Sequence, residues 1–199
     1  GVIPLLWRVR TQAGSVTGVE LQEKAAQQAE RSVAENGFSA TVGIVRGDAR
    51  RLSDLFPAGS LDGIACNPPY TPPGAGIPCG DAARRTARQG DTLSLEDLAR
   101  GARRALRFGG RLCLCLRPQR LGEAVGLFQR FQLEPKRLRL CQQRPGKAPF
   151  LLLLECRRGG RPGMDVGPVL LLEGEDGRPT GELEAIYGDY RDNPEHQRR

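Results

Sequence analysis

The tetrapeptide Asn67-Pro68-Pro69-Tyr70 follows directly on the apolar run Leu61-Asp62-Gly63-Ile64-Ala65-Cys66. Its two prolines fix the backbone and remove two amide donors, so the carbonyls there can only accept. The side-chain oxygen of Asn67 and the carbonyl of Pro68 can then both accept hydrogen bonds from one NH2 group. Such a group is a poor nucleophile while its lone pair is conjugated with a ring or a carbonyl. Two acceptors favour the pyramidal, nucleophilic form, and Tyr70 offers a face on which a planar base can stack. Asn67, Pro68 and Tyr70 are therefore the candidate catalytic residues, and Pro69 with Tyr70 the candidates for holding the planar substrate. The same residues would also make a plain proline turn. Their place at the carboxyl end of a strand, where α/β sheets bind ligands, favours chemistry.

Two acids lie at comparable positions. Glu20 ends the run Ser15-Val16-Thr17-Gly18-Val19-Glu20, where a carboxylate can accept from both ribose hydroxyls of a nucleotide-like cofactor. Asp48 follows the next apolar run and can accept from an adenine amino group. Each acid could equally be a helix cap or a first-turn acid. The six cysteines, Cys66, Cys79, Cys113, Cys115, Cys141 and Cys156, contain no C-x-x-C pair, and the one histidine, His196, sits in a polar tail. Zinc ligation and Cys–His catalysis therefore lack their residues, and no metal is expected. Most of the cysteines lie in apolar runs and read as small buried hydrophobes in a reducing, cytoplasmic compartment.

Strands alternating with helices must position these groups. Residues 15–20, 41–45, 61–66 and 111–116 read as strands. Leu21 to Asn36 reads as a helix with Leu21, Ala25, Ala29 and Val33 on one face and Gly37 closing it. Ser94-Leu95-Glu96-Asp97 opens a second helix expected to run to about Phe108, where Gly109-Gly110 stops it. A further helix spans Leu121 to Phe131, followed by apolar runs at Leu138–Cys141 and Phe150–Cys156. The stretch from Thr71 to Gly90 is rich in Pro, Gly and Arg and reads as a loop. This alternation predicts an α/β fold with a mostly parallel sheet and helices on both faces. Gly1 to Trp7 reads as helix with no strand before it, so the first strand and its glycine loop are expected to be missing, Gly1 apart.

The chain has 199 residues, one domain of ordinary size, expected over residues 1–188 with a polar, disordered tail over 189–199. Lys and Arg number 30 against 23 Asp and Glu, a net charge of +7 that favours a polyanionic partner, nucleic acid first. Only Lys24, Lys136 and Lys147 are lysines, a skew that a GC-rich genome would also produce. The run from Phe150 to Leu154 is far shorter than the ~20 residues of a spanning helix, and no signal peptide opens the sequence. No membrane association is expected.

Val19-Glu20, Gly47-Asp48 and Asn67-Pro68-Pro69-Tyr70, in that order, resemble the class I S-adenosylmethionine-dependent methyltransferases that modify amino groups. Arg117-Pro118, Leu133-Glu134-Pro135-Lys136, Arg144-Pro145-Gly146-Lys147, Pro162-Gly163 and Ala185-Ile186-Tyr187-Gly188 are similar to segments of the bacterial tRNA(Val) adenine-37 N6-methyltransferase family. The resemblance implies a Rossmann-like class I methyltransferase fold with an antiparallel C-terminal strand, S-adenosyl-L-methionine as cofactor and tRNA as partner. It implies that Gly1, Glu20, Asp48 and Asn67 meet the cofactor, Glu20 at the ribose and Asp48 at the adenine. Asn67 with Pro68 would hold the target N6 amino group. Arg84, Arg85 and Arg88 of the loop, with Arg117, Arg120, Arg144 and Lys147, form the expected RNA-contact face, Arg85 and Arg88 nearest the substrate. Methyl transfer from a sulfonium needs alignment and acceptors rather than a general base, which suits a site without histidine. Two other readings stay open: methylation of a protein glutamine or of DNA adenine, and an RNA-binding remnant without catalysis.

Overall fold

The computed structural model describes residues 2–11, 13–68 and 93–188. Its elements divide into two compact units, one formed by the described parts of 1–65 and 71–110, the other by those of 66–70 and 111–199. Residues 189–199, read from the sequence as a polar tail, lie outside the described residues, as does the loop from Thr71 to Gly90.

In the first unit, strand β1 (Val16–Glu20) pairs in parallel with β2 (Val42–Arg46), in register from Val16 opposite Val42 to Glu20 opposite Arg46. Parallel neighbours need a crossover, and α2 (Glu23–Glu35) supplies it. Its inward face is Ala26, Ala29 and Val33, each at most 5% exposed. The expected stripe is thus half right: Leu21 lies ahead of the first helical turn and is exposed, and Ala26 faces inward more fully than Ala25. Gly37 closes the helix at φ +72°, its N–H on the carbonyl of Ala34. Helix α1 (Val2–Arg10) lies against β1 at Gly18, where a Cβ would come within 2.8 Å of the Pro4 ring.

Helix α3 (Leu52–Leu55) and strand β3 (Leu61–Cys66) precede α4 (Leu95–Ala105). Ser94 caps α4, its hydroxyl accepting from the Asp97 N–H at 3.0 Å and donating to the Asp97 carboxylate at 2.6 Å. Leu95, Leu98, Ala99, Ala102 and Ala105 form its buried face. The helix ends three residues before the expected stop. Leu106 is already extended, at φ −67° and ψ 141°, and opens β4 (Leu106–Leu116). Tertiary pairing overrides helical pattern here. The Arg107 guanidinium binds the Asp62 carboxylate of β3, and the α-carbon of Gly110 packs so close to the Asp62 carbonyl that a Cβ would sit 3.2 Å from it. Gly109 takes φ +77° inside this strand, so the Gly-Gly pair bends β4 rather than stopping a helix.

The strand order of the larger sheet is β3–β4–β6–β5–β7, with β8 also on β5, and all of it but β3 and the start of β4 belongs to the second unit. Strands β5 (Leu133–Gln142) and β6 (Leu151–Arg158) are longer than the apolar runs that announced them. Strand β6 is antiparallel to both neighbours, with Leu114 and Leu138 each opposite Leu154. The β5–β6 register shifts between Pro135 and Arg137, where a residue without an N–H cannot continue the ladder. One face of this ribbon is sealed: Leu112, Leu116, Leu133, Leu152 and Cys156 are 0% exposed. Helix α5 (Leu121–Arg130) adds Ala124 and Phe128, also 0% exposed, and packs on β5. The two-residue strands β7 (Asp165–Val166) and β8 (Leu170–Leu171) run parallel to β5. Helix α6 (Gly181–Tyr187) follows, capped by Thr180, whose hydroxyl accepts from the Leu183 N–H at 3.2 Å. Among the described residues no helix is long and apolar enough to cross a membrane.

Phe128 fills the space between α5 and the ribbon. Phe128→Ala is expected to lower unfolding stability by about 3–5 kcal/mol, read from urea midpoints at an unchanged slope.

Candidate functional site

The first unit brings Glu20 and Asp48 together. They lie at the carboxyl ends of the adjacent parallel strands β1 and β2, and the Gly47 N–H donates to the Glu20 carbonyl at 2.9 Å. A Cβ at 47 would come within 2.8 Å of the Leu55 methyl groups, so a larger residue there would require that side chain to shift. Glu20 Oε1 accepts from the Gln22 N–H at 3.1 Å, the one partner of its carboxylate among the described residues. Asp48 is more fully engaged. Its Oδ1 accepts from the backbone N–H of Arg50 at 2.9 Å, and the Arg50 guanidinium closes on both oxygens, with Nη2 to Oδ2 at 2.6 Å. The Arg50 side-chain hydrogen bonds, with its charge, hold the Asp48 carboxyl below its usual range, against the opposing effect of burial. Asp48 thus does local capping work, while Glu20 ties down the turn that leads into α2.

The second unit holds the start of the tetrapeptide. Asn67 is exposed while Pro68, next to it, is buried below 2%. A buried proline anchors the backbone and presents the amide to solvent from a fixed base. The Cys115 thiol of β4 donates to Asn67 Oδ1, with Sγ and Oδ1 3.0 Å apart. Behind Asn67, burial pushes the Cys66 thiol up to about 12, with Cys115 adding to the effect, and burial raises Cys141 as well. Gly1, Pro69, Tyr70, Arg84, Arg85 and Arg88 lie outside the described residues. Of the other expected RNA-facing groups, Arg117 donates to the Phe150 carbonyl at 3.1 Å, Arg120 forks onto Glu123, and Arg144 binds Glu173 at 2.6 Å. These guanidiniums are tied down locally, whereas Lys147 lies on an exposed hairpin loop between β5 and β6.

Two side chains that hold the candidate groups escape a reading of the sequence. Arg50 was one charge among many, although its spacing of two from Asp48 suits a clasp. Cys115 reads from the sequence as a small buried hydrophobe; alternation along Arg111–Leu116 sets it apart from Leu114 and Leu116, but only the closeness of β4 to the end of β3 reveals its partner. Among the described residues no cluster of three or more His, Cys, Asp or Glu side chains is placed to hold a metal ion.

A tRNA1(Val) (adenine(37)-N6)-methyltransferase of Yersinia pseudotuberculosis serotype O:3 (strain YPIII) is 30% identical over 181 residues, 88% of this chain and 68% of that protein. The chain belongs to this family. A Bacteroides fragilis (strain YCH46) member is 30% identical over 154 residues, 77% of this chain and 64% of its own. One from Yersinia enterocolitica serotype O:8 / biotype 1B is 32% identical over 163 residues, 79% of this chain and 62% of its own. The chain therefore spans a little under two thirds of these two relatives. No protein-family model matches it. Among solved structures, a predicted O-methyltransferase from Agrobacterium tumefaciens superposes with a TM-score of 0.71 at 21% identity, over 92% of this chain and 81% of its own. TrmN from Thermus thermophilus gives 0.53 at 22% identity, over 79% of this chain and 40% of its own. The fold is the Rossmann-like methyltransferase fold expected from the sequence.

A carboxyl held below its unfolded range stabilises the fold above that range and loses the contribution as pH falls through the folded value. Asp48→Asn is therefore expected to lower the melting temperature at pH 7. The gap from the unsubstituted protein should narrow as pH drops below about 4, measured by thermal melts across pH.

Proposed function

We propose that this chain forms the core of an S-adenosyl-L-methionine-dependent methyltransferase that methylates the exocyclic N6 amino group of an adenine in tRNA. The observation that carries the reading is Asn67: an exposed amide on a buried proline at the carboxyl end of β3, with its oxygen held in one orientation. Family membership supports the class of reaction, and a tRNA substrate favours a cytoplasmic activity.

The acids of the first unit suit the cofactor unequally. Glu20 retains acceptor capacity beside its bond to Gln22, which suits vicinal ribose hydroxyls. Asp48 has both oxygens occupied by Arg50, so an adenine amino group reaches it once the guanidinium swings aside. When bound, S-adenosyl-L-methionine supplies an electrophilic methyl group on a sulfonium. The chain's own task is to present the acceptor nitrogen. Asn67 Oδ1 and the Pro68 carbonyl accept from its two hydrogens, drawing the lone pair out of conjugation and aiming it for in-line attack. Its proton leaves once the nitrogen is cationic, which requires no basic side chain. An adenine paired or stacked in RNA must first be unstacked to enter such a site. Lys147 on the exposed β5–β6 loop is suited to contact phosphate, as a mobile point charge with no ion pair among the described residues.

Asn67→Ala is expected to lower methyl transfer from labelled S-adenosyl-L-methionine to tRNA by at least about 100-fold, with tRNA affinity largely unchanged. Near-normal turnover in that variant would overturn the role of Asn67. Parallel incubations with duplex DNA and with a glutamine-bearing protein substrate decide the substrate class, since label on either in place of tRNA would replace the present reading.

A further inference from the structure

Cys115 stands outside the acceptor pair and outside the acids, yet among the described residues its thiol is the side-chain group that hydrogen-bonds Asn67. We propose that Cys115 is a positioning residue for methyl transfer: its S–H holds the Asn67 amide with the oxygen turned to receive the target amino group. The inference rests on the function proposed above.

An asparagine amide has an accepting end and a donating end, and the torsion that exchanges them is soft. On an exposed residue such as Asn67 the two orientations would interchange freely, and the donating end would repel the hydrogens of an incoming NH2. A donor fixed on the protein removes the ambiguity. Cys115 is fixed by the sheet: it lies opposite Leu153 in the β4–β6 ladder, between Leu114 and Leu116, whose side chains are sealed on the opposite face. A slip of one residue would bury Cys115 and bring a leucine to the amide.

The choice of a thiol has chemical sense. A lysine or arginine at this place would hold the oxygen more strongly, but it would also drain its electron density and compete with the substrate. A thiol is a weak donor that occupies one lone pair and leaves the other for the amino group. The surrounding cysteines do not disturb it. Burial raises the Cys66 and Cys141 thiols, so neither of them competes as a thiolate for the Cys115 hydrogen.

The test compares Cys115→Val, which keeps the bulk and removes the donor, with Cys115→Ser, which keeps a donor, beside Asn67→Ala. A weak hydrogen bond of this kind corresponds to roughly a fivefold change in rate. Cys115→Val is expected to lower kcat by about that factor with KM for tRNA and affinity for S-adenosyl-L-methionine unchanged, and Cys115→Ser to restore kcat to within about twofold. Full kcat in Cys115→Val while Asn67→Ala is inactive would overturn the positioning role and leave the proposed function standing. Full transfer by Asn67→Ala would overturn both. A second readout needs no activity. The Raman S–H stretch of Cys115, assigned by difference against Cys115→Val, should rise in Asn67→Ala as the hydrogen bond is lost. An unchanged frequency overturns the proposal.

Discussion

Apolar burial on one face of the β4–β6–β5 ribbon is the constraint on which the second unit depends. Leu112, Leu114 and Leu116 of β4 line up with Leu152, Leu154 and Cys156 of β6, and α5 closes the layer with Ala124, Leu127 and Phe128. Because side chains alternate along a strand, sealing these residues dictates where every intervening residue must go. Cys113 and Cys115 are forced to the other face, with Glu155 and Leu153 opposite them. Glu155 there lies between the guanidiniums of Arg111 and Arg137, one carboxylate serving two neighbouring strands. The polar surface of the ribbon, and the thiol that meets Asn67, are consequences of leucine packing on the hidden side.

The first unit obeys a different rule. Its two parallel strands end side by side, and whatever follows each strand is therefore adjacent in space although some 28 residues apart in sequence. That geometry brings Glu20 and Asp48 together through the Gly47 N–H, and it would do so for any pair of residues at those positions. What the particular side chains add is polarity and reach. Arg50 has taken up the capacity of Asp48, so the acid is kept charged and oriented, but it is not idle.

The strand ends were legible in the sequence because they combine short apolar runs with sharp terminators: Glu20, Gly47-Asp48 and Asn67-Pro68. Helix caps were legible for the same local reason, as at Ser94 and Gly37. The junction at Leu106 was not. Ala102, Ala105 and Leu106 continue a helical pattern, and only the Arg107–Asp62 pairing and the close approach at Gly110 show why the chain straightens there. Strand β5 was underestimated because Pro135 interrupts it, and a bulge that absorbs a proline has no signature separate from a strand that ends. Helix α6 is too short to announce itself by periodicity. The partner of Asn67 was hidden for the same reason as the junction, since it lies 48 residues away on a strand whose neighbours the sequence does not name.

Strands β7 and β8 have two residues each and contribute almost no ladder of their own. They are held from outside: Lys136 donates to the carbonyls of Arg161 and Gly163, Arg139 to that of Pro168 and to Glu182, and Gln143 with Arg144 to Glu173. Every one of these tethers starts on β5 or just past its end and finishes in the segment 161–182. Such a segment, with short ladders on β5 and little buried apolar surface beyond Leu170, opens at lower cost than β6, which is bonded on both edges. Amide hydrogens between Arg161 and Glu182 are therefore expected to exchange through local excursions that added salt makes more frequent, and those of Leu152–Cys156 with global unfolding.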